Sequence, residues 1–258
     1  SSDVCSSDLP PIEDGKEIDY FNHPYTKIMT NSNCCELMKP KRYDLQLWKW
    51  LEDYYEEGIE GEEISKKKVG IENILYRKNI CYSNRVRMRI NELCMNEMIK
   101  SKTKYIVLEA PEKDEKNTKS QKTYLYAGLP IMAVVANQEL ELVNSDELVV
   151  KDFDPNANTM EIEGDAGNFT IAFKDFHKYF VVNYASTTHK SQGATIEEDI
   201  NIFEWWKLCF DRRIGYTAVS RAKKCEQVSI VENMYDYDDK VKKVDYDYDD
   251  NFDYDMEF

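Results

Sequence analysis

The 258-residue sequence predicts an α/β fold in which a parallel sheet flanked by helices is interrupted by a small inserted β-barrel. Three observations lead to this prediction. A strand expected over residues 180–185 begins with the apolar, β-branched run Phe180–Val182 and is followed by a cluster of polar residues, as occurs at the carboxyl ends of strands in an α/β sheet. An amphipathic helical pattern follows another short apolar run, over residues 86–98. Between residues 105 and 173 short strand-like runs alternate with turn signals, as in a small barrel.

The first hundred residues are predicted to be mainly helical. A helix is expected over residues 31–55, where apolar residues recur at helical spacing. Residues 56–68 are charged and contain two glycines, which predicts a loop. Residues 79–83 are expected to form a buried strand, and Asn84 is expected to cap the helix whose apolar positions span residues 86–98.

The second part is predicted to contain the barrel and then a return to the parallel sheet. The expected barrel strands cover residues 105–110, 131–136, 147–151, 159–162 and 168–173. Strands of the parallel sheet are expected over residues 180–185, 200–203 and 227–231, with a helix over residues 212–223. From Tyr235 the chain alternates Tyr with Asp, which predicts a solvated, disordered tail.

Composition limits the functional classes. The net charge is −15, but residues 236–258 hold ten acidic residues against three lysines, a net charge of −7. Basic clusters at residues 39–42, 85–89 and 221–224 are suited to phosphate groups despite the acidic total. No apolar run is long enough to span a membrane, so no membrane partner is expected.

Cysteine and histidine spacing predicts no metal site. The 7 cysteines show neither zinc-ligand nor disulfide spacing, and His23 and His177 lack ligand partners nearby in the sequence. Free thiols are typical of a reducing, intracellular compartment, here the cytoplasm or the nucleus, in a protein of viral or cellular origin.

Two polar stretches contain the main functional signal. The first, from Tyr184 to Thr195, reads YASTTHKSQGAT, and the second, from Tyr216 to Lys223, reads YTAVSRAK. Hydroxyls, an imidazole, an ammonium and a glycine after a strand are typical of the ligand-binding groups that α/β proteins place at the carboxyl end of a strand. In isolation, His189 would equally suit a core histidine that bonds a backbone carbonyl, and Arg221 a surface cation on an amphipathic helix.

Together, in this order and with a strand between them, the two stretches resemble motifs V and VI of superfamily-one helicases of the RecD and Pif type. The upstream resemblance is to the end of motif III at Leu9–Ile12, to the start of motif IV at Leu37–Arg42, and to the following strand and helix at Ile80–Asn91. Asn144-Ser145 stands where the family often has Asn-Gly before motif V.

The resemblance implies the C-terminal portion of an ATP-dependent DNA helicase: a second RecA-like motor domain with an inserted β-barrel. It implies translocation on single-stranded DNA, five-prime to three-prime, with duplex unwinding. The corresponding division is a non-native or disordered start (1–8), the first part of the motor domain (9–103), the barrel (104–178), the second part of the motor domain (179–233) and the acidic tail (234–258).

The resemblance also implies roles for particular residues. Arg42 and Arg221 are the expected catalytic, γ-phosphate-binding residues, and Gln192 and Gly193 complete the expected ATP-binding set. The expected nucleic-acid-binding residues are Thr188, His189, Lys190, Asn84 and Arg85. From the residues alone, Asn84 is as well explained as a helix cap.

ATP and Mg²⁺ are the expected cofactors, and a missing N-terminal motor domain is the expected partner that holds most of both. The sequence contains no G-x-x-x-x-G-K-[ST] phosphate loop and no Asp-Glu pair after an apolar strand. The chain is therefore expected to be inactive alone. Two alternatives stay open: a non-catalytic module that binds single-stranded nucleic acid, and a fragment of an RNA helicase.

Overall fold

The structure, a computed structural model, describes residues 24–30, 41–57, 64, 66–67, 69–111, 120–164, 167–209 and 211–231. The predictions for the start, for Leu9–Ile12, for residues 31–40 and for the acidic tail lie outside the described residues.

The described residues form seven helices and twelve strands, besides two short 3₁₀ turns. The helices are α1 (Pro24–Met29), α2 (Leu45–Glu57), α3 (Ile71–Leu75), α4 (Asn84–Ile99), α5 (Phe176–Tyr179), α6 (Trp205–Leu208) and α7 (Arg212–Val219). The strands are β1 (Lys66–Lys67), β2 (Lys78–Cys81), β3 (Ile106–Leu108), β4 (Thr123–Leu125), β5 (Pro130–Ala133), β6 (Glu147–Asp154), β7 (Thr159–Gly164), β8 (Gly167–Ala172), β9 (Phe180–Val182), β10 (Ala185–Thr187), β11 (Ile200–Ile202) and β12 (Val228–Val231). Among these described residues, no helix is long and apolar enough to span a membrane.

A five-stranded parallel sheet has the order β1-β12-β11-β2-β10. Successive side chains of a strand point to opposite faces, and both faces of this sheet are covered. Ile80 packs with α2 and α7 on one face, whereas the next residue, Cys81, packs with α3 and α4 on the other. The predicted α/β class, a parallel sheet flanked by helices, is confirmed.

A second, antiparallel sheet has the order β8-β7-β6-β5-β9, and the pair β3–β4 shares its hydrophobic core. Phe169 on edge strand β8 lies 6.4 Å from Phe180 on the opposite edge strand, centroid to centroid. The sheet therefore curls until its two edges meet through stacked rings. The pairings among the described residues show no hydrogen-bonded ladder between these two edges.

The structure corrects the assignment of Phe180–Val182. This run was expected in the parallel sheet, but it pairs antiparallel with β5 in the curled sheet, and the parallel strand is Ala185–Thr187. A run that is apolar on both faces suits a buried strand of either sheet, so its pattern did not decide between them. Asn91, fully buried, fixes the passage between the two strands: its amide donates to the Val182 carbonyl at 2.8 Å and accepts from Ala185 N–H at 2.9 Å.

Several element boundaries also differ from the predictions. Helix α2 begins at Leu45 rather than at residue 31. Asp44 is its N-cap, since the Asp44 carboxylate accepts from the Leu47 N–H at 2.7 Å. Ser83, not Asn84, caps α4, and its hydroxyl accepts from the Val86 N–H at 3.3 Å. Strands β1 and β4 were not predicted, β1 because it lies in a charged segment expected to be a loop.

Candidate nucleotide and nucleic-acid sites

Two arginines from distant parts of the chain converge on one backbone carbonyl. The guanidinium of Arg42 donates to the Ala194 oxygen at 2.8 Å, and that of Arg221 donates to the same oxygen at 3.1 Å. Arg221 is 6% exposed and is held further by the Thr217 carbonyl and the Ser220 hydroxyl, each at 2.9 Å. The structure therefore brings together the two residues predicted to bind the γ-phosphate.

The fold explains this convergence. Helix α7 is the crossover between parallel strands β11 and β12, so it runs back along the sheet and Arg221, just after it, lies at the amino-terminal edge. Arg42 precedes α2, and the start of α2 is tied to the same turn: Asp44 N–H donates to the Lys223 carbonyl at 2.9 Å, and Cys225 N–H donates to the Asp44 carboxylate at 3.3 Å.

The arginine pair has the chemistry of an anion site. Both guanidiniums are permanently cationic, and their shared acceptor is a neutral carbonyl. The Nε of Arg42 is buried and has no hydrogen-bond partner among the described residues. A phosphate oxygen would accept from donors of this kind and offset the repulsion between the two cations.

The segment after β10 connects this arginine pair to the opposite edge of the sheet. Ile196 N–H donates to the Arg221 carbonyl at 3.0 Å, which fixes the far end of the segment beside the arginines. Gly193 has φ +83°, a conformation that side chains with a Cβ rarely adopt. Gln192, half-buried, lines a cleft of about 220 Å³ between β10 and the curled sheet, together with Lys78 and Glu147.

Thr188, one of the residues predicted to bind nucleic acid, is bonded to the protein backbone in this structure and does not reach the surface. It is fully buried, its N–H donates to the Cys81 carbonyl at 3.0 Å and its hydroxyl to the same oxygen at 3.4 Å. The reason is its position one residue beyond β10, beside neighbouring strand β2, where it continues the strand pairing instead of turning outward.

His189 and Lys190 are half-buried and follow directly on the same edge. Burial lowers the pKa of His189 below its ordinary value, so the imidazole is neutral near pH 7. A neutral imidazole can donate one hydrogen bond to a phosphate but adds no charge. The Lys190 ammonium donates to the Asn144 side chain at 2.9 Å, and this contact joins the curled sheet to the edge of the parallel sheet.

Arg85 and Asn84 lie in the first turn of α4, after β2. Arg85 is exposed, so its guanidinium is accessible to a ligand. Asn84 is half-buried, and its side-chain oxygen accepts from Arg87 Nε at 3.0 Å, so it orients a neighbouring arginine.

Sequence reasoning missed Glu204. Its carboxylate accepts from the N–H groups of Tyr82 and Ser83 at 3.2 and 2.8 Å, and its φ is +55°. These contacts join the carboxyl ends of β11 and β2. No local pattern marks the residue, because its partners lie 121 and 122 positions away in the chain.

The predicted residues thus form two groups on opposite edges of one sheet. Arg42 and Arg221 lie at the amino-terminal edge beside Ala194, whereas His189 and Arg85 lie at the carboxyl-terminal edge. Residues 188–196 run between the two groups, and on this segment Lys190, predicted to bind nucleic acid, and Gln192, predicted to bind ATP, line the same cleft as Ala194. No cluster of three or more His, Cys, Asp or Glu residues with metal-binding geometry occurs within the described part of the chain.

The parallel sheet with flanking helices matches the RecA-like fold of Pif1 helicase structures over about half of their length. The chain is similar to Pif1 from Bacteroides bound to ssDNA (TM-score 0.57, 16% identity, 76% of this chain and 51% of that one). It is similar to Bacteroides Pif1 helicase in complex with ADP-AlF3 and ssDNA (0.53, 17%, 76% and 51%) and to Pif1 helicase from Candida albicans (0.51, 14%, 74% and 54%). The chain therefore spans about half the length of these structures. Neither protein-family models nor curated proteins give a match.

Proposed function

We propose that the chain is the C-terminal portion of an ATP-dependent DNA helicase of the Pif type, and that it contributes the second RecA-like motor domain with its inserted β-barrel. The observation on which the proposal chiefly rests is the convergence of Arg42 and Arg221 on the Ala194 carbonyl. The similar folds of Pif1 helicases, two of them determined with ssDNA, support it.

Arg42 and Arg221 would hold the γ-phosphate of ATP, with Gln192 and Gly193 beside it. Bound ATP supplies the phosphoryl group whose hydrolysis releases energy, and Mg²⁺ neutralises part of its charge. Guanidinium groups suit this task because they are always charged and can bond two phosphate oxygens at once. The phosphate loop and the magnesium ligands would belong to a first motor domain, outside this sequence.

His189, Lys190 and Arg85 would contact the phosphates of single-stranded DNA at the opposite edge, with Asn84 orienting Arg87 next to them. The segment 188–196 touches both sites: one end continues from β10, and the other bonds the turn that holds Arg221. A shift of the arginines around the phosphate would therefore move His189 and Lys190. Such coupling between hydrolysis and strand contacts is what translocation requires, and the proposed direction is five-prime to three-prime.

The test is ATP hydrolysis by the chain joined to a first motor domain that contains a phosphate loop, with and without single-stranded DNA. Arg221→Ala should lower DNA-stimulated hydrolysis by about 10³- to 10⁵-fold, as loss of an arginine finger does. Lys224→Ala is the matched control, because it removes one positive charge three residues away from an exposed side chain. Equal rates for wild type and Arg221→Ala would refute the proposal.

A further inference from the structure

Helix α6 turns one tryptophan inward and the next outward. Trp205 is buried in the core against Trp50 and Tyr54, with ring centroids 6.0 and 5.5 Å away. Trp206 is 60% exposed. Because Trp205 already anchors α6 in the core, packing within the described part of the chain does not account for an indole at position 206.

The strand order places Trp206 in a row with the proposed nucleic-acid-binding residues. Strands β11, β2 and β10 are neighbours and parallel, so their carboxyl ends meet at one edge. Trp206 follows β11, Tyr82 and Arg85 follow β2, and His189 follows β10. Since neighbouring strands lie about 4.8 Å apart, the row extends roughly 10 Å across the edge. Glu204, two residues before Trp206, connects Trp206 to Tyr82, because its carboxylate accepts from the Tyr82 N–H.

The row combines aromatic faces with positive charge. Tyr82 is 37% exposed, and Arg85 is exposed in the first turn of α4. The Lys207 ammonium lies 5.0 Å from the centroid of the Trp206 ring and 3.0 Å from Glu204. Aromatic rings beside a cationic path are how proteins hold single-stranded nucleic acid, because every base can stack and every nucleotide brings a phosphate.

We propose that Trp206 is a base-stacking residue that, with Tyr82, extends the single-strand site across the carboxyl ends of β11 and β2. This inference rests on the proposed function, since the same edge holds the phosphate contacts. The occupant is a nucleobase of a DNA or RNA strand. Stacking on an indole does not depend on the sugar, so it adds affinity for both.

The test measures binding of the chain to labelled oligothymidylate and oligouridylate of about ten nucleotides, as a function of salt. Trp206→Ala should weaken binding to both by about 5- to 150-fold, the loss expected for one stacked base. The slope of affinity against salt should not change, because no phosphate contact is removed. Tyr76→Ala is the control: Tyr76 is 80% exposed but lies at the amino-terminal end of β2.

Two further readouts separate stacking from misfolding. Trp206→Phe should retain most of the affinity, since a phenyl ring still stacks. Tryptophan emission should be quenched on binding in the wild type and much less in Trp206→Phe. If the wild type binds and Trp206→Ala binds equally well, the stacking role is refuted while the proposed function stands. Such a result would also be expected if Trp206 contacted only another protein domain. If the wild type does not bind, both are refuted.

Discussion

Gly215 lets α7 pack against α2, and Gly215→Ala should destabilise the protein. A Cβ at this position would lie 2.1 Å from the Tyr54 hydroxyl oxygen and 2.9 Å from the ring carbon that bears it. Tyr54 cannot easily give way, because its ring stacks on Trp50 at 4.9 Å and meets Trp205 at 5.5 Å. Separation of α7 from α2 would also disturb the arginines that flank these helices.

The magnitude follows from two opposing effects. In a helix interior, alanine is favoured over glycine by about 1 kcal/mol, so without a clash the variant would be more stable. Overpacking of a filled core costs about 1–3 kcal/mol, and the two indoles around Tyr54 place the cost near the upper end. We therefore expect a net loss of about 2 kcal/mol in the free energy of unfolding.

The assay is urea denaturation of wild type, Gly215→Ala, Tyr54→Phe and the double variant. Removal of the hydroxyl takes away the closest contact, so Gly215→Ala should cost at least about 1 kcal/mol less in the Tyr54→Phe background. A Gly215→Ala protein more stable than wild type, or the same cost in both backgrounds, would refute the reasoning.

Three further predictions concern Asn91, the half-buried histidines His177 and His189, and the proposed strand contact of Lys190. Asn91→Ala should lower the free energy of unfolding by about 2–4 kcal/mol in urea, because it leaves a buried N–H and a buried carbonyl without partners. Burial lowers the pKa of His177 and His189, so unfolding takes up protons and stability should fall as pH drops below about 6.5; replacing both by Gln should flatten that fall in denaturation curves. Lys190→Ala should weaken single-strand binding and reduce its salt slope by about 0.7, whereas His189→Ala at pH 7.5 should weaken binding without changing the slope.

A contrary result for each of these three predictions would point to one particular physical cause. A loss below about 0.5 kcal/mol for Asn91→Ala would mean that its two bonds are replaced by water or by neighbours. An unchanged pH profile in the double His variant would mean that neither imidazole stays neutral in the folded protein. A salt slope that falls in His189→Ala would mean that His189 is charged when the strand binds.

Arg221 was singled out in the sequence because a run of neighbouring residues forms its motif. The structure places it beside Arg42, and its role in phosphate binding stays a prediction. Thr188 lies in an equally specific run, but that run does not show that the strand pairing continues one residue past β10 and buries the hydroxyl. Phe180–Val182 was assigned to the wrong sheet for a related reason, since its apolar pattern suits either. The local sequence pattern predicts the type of secondary structure more reliably than it predicts which strand or helix the segment packs against.

Contacts between distant residues were beyond the reach of sequence patterns. Arg42 and Arg221 donate to the same acceptor, Ala194, although they lie 152 and 27 positions away from it in the sequence. They meet there because α2 begins, and α7 ends, beside the same turn. Glu204 and Trp206 belong to no periodic pattern that marks a site. Their position at a candidate site is visible only in the structure, where the strand order β11-β2-β10 places them beside Tyr82.

In the proposed function, the parallel sheet binds ATP at the amino-terminal ends of its strands and single-stranded DNA at their carboxyl-terminal ends. This proposal is tested most directly by measuring, in the chain joined to a first motor domain, both ATP hydrolysis and single-stranded DNA affinity without nucleotide. Arg42→Ala and Arg221→Ala should each lower hydrolysis by about 10³- to 10⁵-fold and leave that affinity unchanged, whereas Lys190→Ala should lower the affinity. An arginine variant that hydrolyses ATP at the wild-type rate, or that loses DNA affinity as Lys190→Ala does, would contradict it.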